Sequence, residues 1–236
     1  MECVTAHLNR NLIMCSEGQV KYFRERYGRD SVCIPTAVNL PESICETDIL
    51  ERFDLETGKY FLFMGRLVQD KNPDYLIKAF NKIGNNGFKL VIAGSNDALP
   101  DYVSKLHSLA SNNKDIVFTG AVYGGDKATL LKNAYCFCIP STIEGLSIVL
   151  LEAMSYRLPV IASNIDANKE VLDYDKALWV KPESISDLTI ALEDALANKE
   201  KLDNFVEYNY SLVASKYTWD KVAERYLKYI CSIVKK

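Results

Sequence analysis

Two carboxylates stand eight positions apart in the segment Ser141-Thr-Ile-Glu-Gly-Leu-Ser-Ile-Val-Leu-Leu-Glu152, which follows the strand-like run Tyr135-Cys-Phe-Cys-Ile-Pro140. If a helix begins near Ser147, Glu144 stays in the preceding loop and Glu152 sits about a turn and a half inside. The carboxylates are then separated by roughly 8 to 12 Å at a rise of about 1.5 Å per residue. That matches a ligand with hydroxyls at both ends of a diphosphate, the layout of a nucleotide-sugar. The unpaired N–H groups of the helix start, over Leu146, Ser147, Ile148 and Val149, would face the phosphates. The same two glutamates also read as solvated acids at a helix start, where negative charge favours the macrodipole.

A second junction changes the balance between these readings. In Phe61-Leu-Phe-Met-Gly65-Arg66-Leu-Val-Gln-Asp-Lys71-Asn-Pro73 two cations lie five residues apart, ahead of a helix that opens near Pro73. A helix start favours acids, so Arg66 and Lys71 point to an anion as their partner rather than to the helix. A guanidinium grips two phosphate oxygens in a planar fork and an ammonium adds a mobile point charge, a combination suited to a diphosphate. The competing reading pairs them with Asp70 or Asp74, in surface contacts that contribute roughly 0 to 1 kcal/mol.

The elements that must position these residues alternate. Apolar runs predict strands over 60–64, 88–93, 115–119, 135–139, 158–162 and 177–181, and amphipathic spacing predicts helices over 73–83, 97–111, 126–133, 147–156, 166–173 and 184–198. The pattern is that of an α/β protein with a doubly wound parallel sheet, Rossmann-like in class. Such sheets bind ligands at the carboxyl ends of their strands, where Gly65-Arg66, Gly94-Ser95, Gly120-Ala-Val122 and Ser141 to Glu144 all fall. No G-x-G-x-x-G follows a strand, and Gly124-Gly125-Asp126-Lys127 lacks the spacing of a phosphate loop, which argues against a dehydrogenase or a P-loop enzyme.

These stretches resemble a known family. Gly65-Arg66-Leu67 with Lys71, Leu90 to Gly94, Ile116 to Gly120, Pro140-Ser141, Glu144 through Glu152-Ala153-Met154, and Leu158 to Ser163 occur in the order found in the donor-binding half of retaining GT-B glycosyltransferases, the glycosyl transferases group 1. The resemblance runs from about residue 55 to residue 234, with a weaker match over 11–40. It implies that a nucleoside-diphosphate sugar, such as a UDP- or GDP-sugar, is bound as substrate with no cofactor and no metal. Arg66 and Lys71 would meet the diphosphate, Glu144 the sugar and Glu152 the ribose. Gly65 would belong to the donor site beside Arg66, and Gly94, Ser95 and Val122 would lie near the nucleobase, although small residues at strand ends are also ordinary turn formers. Glycan, polysaccharide or glycolipid synthesis is the implied setting. The nearer rival is a GT-B epimerase or phosphorylase; the rival of another class is a nucleotide-sugar binding or regulatory module without chemistry.

The resemblance also divides the chain. Residues 1–40 correspond to a remnant of an N-terminal acceptor domain, 41–57 to a linker, 58–218 to the donor domain and 219–236 to a crossover helix. In the remnant, Asn11 to Ser16 and Val32 to Pro35 read as strands around a helix from Glu17 to Tyr27 that Gly28 ends. Most of the acceptor domain, or a subunit in its place, is therefore an expected partner. The last helix carries Trp219, Val222, Ala223, Tyr226, Leu227, Ile230 and Ile233 on one face, a surface for that domain. A basic membrane-surface helix is the alternative, given Lys221, Arg225, Lys228, Lys235 and Lys236. Residues 164–170 depart from the family's glycine-rich turn, although Glu170 keeps its place, and Ala177 stands where a glycine is usual.

Composition narrows the class. The 236 residues are 48% hydrophobic and 25% charged with a net charge of -3, so the chain is long enough for a substantial core and offers no basic surface for nucleic acid. Seven cysteines, Cys3, Cys15, Cys33, Cys45, Cys136, Cys138 and Cys231, lack metal-site spacing and read as reduced thiols. The start lacks the basic and apolar regions of a signal peptide and no apolar run reaches about eighteen residues. A cytoplasmic location is expected, with peripheral association at the inner face of a membrane through the acceptor. Asp173-Tyr-Asp175 resembles the metal-binding D-x-D of another glycosyltransferase fold but falls away from the convergent edge, and His7 and His107 read as bystanders.

Overall fold

The computed structural model describes residues 2–41, 46–84, 87–95 and 100–234. Helix α1 (Glu2–Leu8) leads into two short parallel strands, β1 (Ile13–Met14) and β2 (Val32–Cys33), bridged by α2 (Glu17–Tyr27). Ser16 caps α2 by accepting from the Gln19 N–H, and Gly28, at φ 62, ends it. A one-turn helix, α3 (Ile49–Arg52), precedes the main unit. That unit runs β3 (Tyr60–Met64), α4 (Pro73–Ile83), β4 (Lys89–Ala93), α5 (Pro100–Ala110), β5 (Ile116–Gly120), α6 (Gly124–Asn133) and β6 (Cys136–Ile139). It continues through α7 (Ile148–Ser155), β7 (Val160–Ser163), α8 (Asp166–Lys169), β8 (Leu178–Val180), α9 (Ile185–Ala197), α10 (Lys199–Lys216) and α11 (Trp219–Val234).

The six strands from β3 to β8 form one parallel sheet in the order β5-β4-β3-β6-β7-β8. Apolar runs such as Tyr60 to Met64 suit strands covered on both faces, and side chains alternate accordingly. Phe61, Leu90, Ile92, Cys136, Cys138 and Ile161 point to the layer containing α4, α5 and α9. Tyr60, Leu62, Val91, Phe137, Ile139 and Val160 point to α6, α7 and the end of α10. Cys136 and Cys138 thus share one face, as their spacing implies, and burial holds the Cys138 thiol well above its ordinary range.

The winding places the site. From β3 the chain travels outward through β4 to β5, returns to lay β6 against the other side of β3, and travels outward again to β8. The direction reverses between β3 and β6, so the connections leaving their carboxyl ends head for helices on opposite faces of the sheet, the place where folds of this kind form a ligand crevice. The first loop carries Arg66 and Lys71; the second carries Glu144.

Several expected boundaries move. The strands expected over 11–16 and 32–35 shrink to two residues each, since each has one neighbour to bond. The helix expected over 97–111 is described from Pro100 to Ala110, with 97–99 outside the described residues. Helix 166–173 stops at Lys169, because Asn168 turns its amide onto Ser163 and Glu170 accepts from the N–H groups of Glu17 and Gly18 at the start of α2. The sequence pattern does not announce α10, which buries Leu202, Phe205, Asn209 and Val213. Cys45, Lys235 and Lys236 lie outside the described residues.

One buried acid fastens α4 to α5. Asp74, 5% exposed, accepts from Tyr102 Oη at 2.7 Å and pairs with Lys78 at 3.0 Å and Lys105 at 3.3 Å. Burial works against its charge, but the hydrogen bonds from Tyr102 and Lys78 and the charges of both lysines outweigh it and hold the carboxyl below its ordinary range. A depressed folded-state pKa contributes stability above the unfolded value of about 3.9 and loses it as pH falls through the folded value. Asp74→Asn is therefore expected to lower unfolding free energy at pH 7 by about 1.5 to 3 kcal/mol. Urea titrations of both proteins between pH 7 and pH 3 check this, since the difference should shrink below about pH 4.

Candidate functional site

The two loops at the crevice are tied together by main chain and by one side chain. After β3, Gly65 and Arg66 lead into a 3-10 turn over Gln69–Lys71, which Asn72 ends at φ 52. Asparagine tolerates this left-handed conformation, and Pro73 then starts α4 with its ring φ already helical. Asn72 is 3% exposed and donates through Nδ2 to the Pro140 carbonyl at 3.0 Å. The Thr142 N–H donates to the Asp70 carbonyl at 2.8 Å.

Lys71 and Glu144 face each other across this seam. Lys71 Nζ lies 2.6 Å from Glu144 Oε2, with the side chains 19% and 8% exposed. Ser141 Oγ donates to the other carboxylate oxygen at 2.7 Å. Behind it a buried chain continues: Ser163 Oγ donates to the Ser141 carbonyl at 2.5 Å, and Asn168 Nδ2 donates to Ser163 O at 2.9 Å. The alternative pairing of the cations with Asp70 or Asp74 does not occur, since Asp74 is taken by Lys78, Lys105 and Tyr102. Arg66 is exposed and its guanidinium meets no described acceptor, which leaves it open to an anion.

Helix α7 opens beside this pair. Ser147 caps it by accepting from the Leu150 N–H at 3.4 Å, and Leu146 packs against the core beneath. The N–H groups of Ile148 and Val149 donate to no described group, so two donors stand free at the positive end of α7. Glu152 follows within the helix, and its Oε1 lies 2.5 Å from Lys127 Nζ, on the first turn of α6. Sequence reasoning did not single out Lys127 as a site residue. The available signal was a cation at a helix start, the same feature that marks Arg66 and Lys71.

The neighbouring strand ends form a small hollow of about 170 Å³, lined among others by Gly65, Arg66, Gly94, Ser95, Val122 and Tyr123. Gly94 is fixed by close approach: a Cβ there would lie 2.1 Å from the Gly65 carbonyl oxygen and 2.9 Å from Leu67. Its N–H donates to the Gly120 carbonyl at 2.9 Å, and β4 shifts register against β5 between Ile92 and Ala93 to reach it. Gly65 has room for a side chain, Val122 is half-buried against the core and Tyr123 is exposed. Every residue expected at the site thus lies at the carboxyl edge. Asp173 and Asp175 precede β8 at its amino end, bonded to Tyr208 and Lys176, and His107 packs its ring on Phe118.

A parallel sheet wound outward from its centre, with these loops at the switch point, defines the Rossmann-like half of a GT-B glycosyltransferase fold. Residues 47–212 match the family described as Glycosyl transferases group 1, and the chain belongs to it. An uncharacterized glycosyltransferase of Methanocaldococcus jannaschii is 34% identical over 168 residues, 70% of this chain and 43% of its own. A glycosyltransferase from Rickettsia africae superposes with a TM-score of 0.87 at 18% identity, covering 96% of this chain and 64% of that one. The Anabaena protein HepE, solved with UDP-glucose, gives 0.85 at 16% identity, covering 97% and 65%. The chain spans about half the length of the curated relatives it matches.

The contact at Gly94 makes a direct test of how tightly the strand ends are packed. Gly94→Ala is expected to cost about 1 to 3 kcal/mol, because backbone rather than a flexible side chain blocks the methyl group. Gly65→Ala, which meets nothing closer than Phe63 at 3.8 Å, is expected to unfold close to wild type in the same denaturant titration.

Proposed function

We propose that this chain is the donor-binding half of a retaining glycosyltransferase, holding a nucleoside-diphosphate sugar while the sugar passes to an acceptor. The observation that carries this reading is the convergence at one switch point of Arg66 and Lys71, the free N–H groups of Ile148 and Val149, and the carboxylates Glu144 and Glu152. Arg66 and Lys71 stabilise the charge that grows on the departing nucleoside diphosphate, and the start of α7 takes a phosphate oxygen. Glu144 accepts from sugar hydroxyls and Glu152 from the ribose. In a retaining transfer the leaving diphosphate helps remove the acceptor's proton on the face it departs from, so no nucleophile is required of this half. The two cations do the work a metal ion would otherwise do.

At rest Lys71 is held by Glu144, so the donor exchanges partners with that pair: the diphosphate takes the ammonium and the sugar's hydroxyls take the carboxylate. The solved complex of HepE with UDP-glucose, a structural neighbour, supports a nucleotide-sugar as the ligand class. We further propose that residues 1–40 belong to an acceptor-binding unit whose remainder, or a partner subunit, completes the enzyme. A groove of about 1180 Å³ between residues 38–40 and α11 is where that unit would seat. Of the apolar face expected on α11, Val222 is buried while Trp219, Tyr226, Leu227 and Ile230 are exposed. Among the described residues no helix is long and apolar enough to cross a membrane, and we place the enzyme in the cytoplasm, reaching a membrane face through its acceptor.

Thermal unfolding of this chain with UDP, GDP, ADP and their sugars tests donor binding. Ligand at a hundred times its dissociation constant stabilises by about 2.7 kcal/mol, or roughly 5 to 10 °C for a domain of this size. The shift is expected with one base and is expected to vanish in Arg66→Ala. In the enzyme completed with its acceptor half, Arg66→Ala should lower turnover roughly 100- to 1000-fold, one charge-stabilising donor being worth about 2.7 to 4 kcal/mol. Glu152→Ala should mainly weaken donor affinity. Equal losses of turnover in both variants would contradict this division, and donor binding without any transfer would favour a non-catalytic binding module.

A further inference from the structure

We infer that Lys127 is part of the donor site, as a positioning residue that aims Glu152 at the ribose diol and presents the complementary donor beside it. The inference rests on the reading of Glu152 as the ribose ligand. Lys127 sits in the first turn of α6, where the macrodipole disfavours a cation, so its placement needs a local reason. Its neighbour Asp126 is taken by Arg52 at 2.6 Å, and Glu152 is the acid that Lys127 meets, at 2.5 Å. Both side chains remain partly open, at 33% and 21% exposure, so the pair is accessible to solvent rather than closing a core.

The geometry divides the carboxylate. Oε1 of Glu152 is occupied by Lys127, while Oε2 meets no described donor. An ammonium beside a half-free carboxylate offers one donor and one acceptor side by side. A vicinal diol needs that arrangement, since each hydroxyl both donates and accepts. One ribose hydroxyl donates to Oε2, and the oxygen of the other accepts from Lys127 Nζ. The loop that supplies Val122 and Tyr123 to the small hollow at the strand ends runs straight into the start of α6, where Lys127 stands four residues past Tyr123 and meets α7 through Glu152. This arrangement selects a nucleotide with both ribose hydroxyls.

The test measures ribose discrimination rather than affinity. UDP, GDP and ADP, each against its 2′,3′-dideoxy counterpart, are titrated calorimetrically into wild-type chain, Lys127→Met, Lys127→Arg and Glu152→Gln. The wild type should bind one ribonucleotide roughly tenfold or more tightly than its dideoxy analogue, since hydrogen bonds to charged groups carry the difference. That ratio should fall to within about threefold in Lys127→Met and Glu152→Gln, and Lys127→Arg should keep most of it. A tie that merely joined α6 to α7 would weaken both nucleotides together and leave the ratio intact. A ratio unchanged in Lys127→Met but lost in Glu152→Gln would overturn the role of Lys127 while the donor reading stands. Binding of none of the three nucleotides by folded wild type would overturn the donor reading and this inference with it.

Discussion

The site depends on Asn72. It is buried, holds a left-handed backbone conformation that few residues tolerate, ends the turn carrying Lys71 and opens α4, and its amide reaches across to the carbonyl of Pro140. A parallel sheet that reverses its winding leaves its two central loops free to diverge. Here they do not, because Asn72 and the Thr142 N–H bond one loop to the other. The cation of the first loop thereby meets the acid of the second. An unpaired amide at this depth would leave a buried polar group without a partner, so the position resists substitution for reasons of packing and of function at once.

The charges of the site are arranged in two pairs, Lys71 with Glu144 and Lys127 with Glu152. Pairing suits charged groups at a site that holds no ligand. Both pairs are partly buried, and each limits the cost of desolvating its members. Arg66 stays exposed and meets no described acceptor, so it offers a long-reaching cation for first encounter with an anion. The free N–H groups of α7 carry no charge of their own to neutralise and need no partner to be released.

Much of this was legible in the chain because parallel strands buried on both faces read as apolar runs. The strand at 60–64 and the helices at 73–83 and 17–27 fall where periodicity and caps place them. Arg66, Lys71, Glu144 and Glu152 stood out because their charge contradicts or exceeds what the local helix start needs. The contacts made through tertiary structure were not legible. Ser163 and Asn168 belong to the chain behind Glu144 only because β7 lies beside β6, and Glu170 reaches α2 across 153 residues. Helix α10 is not legible in the sequence because Asn198 alone separates it from α9 and its buried residues are interleaved with Asn, Tyr and Ser, whose helix propensity is ordinary to weak. Lys127 sits in a glycine-containing stretch that resembles a phosphate loop without its spacing, and its position at a helix start, like that of Arg66 and Lys71, is the only local signal it carries.

Backbone hydrogen exchange with and without a nucleoside diphosphate tests the central claim most directly. The account predicts protection on adding the diphosphate that binds, concentrated over residues 65–72 and 141–152 and at the start of α6, with the amides of Ile148 and Val149 among the most slowed. Protection centred instead on the groove between residues 38–40 and α11, or on the amino ends of the strands, would contradict it.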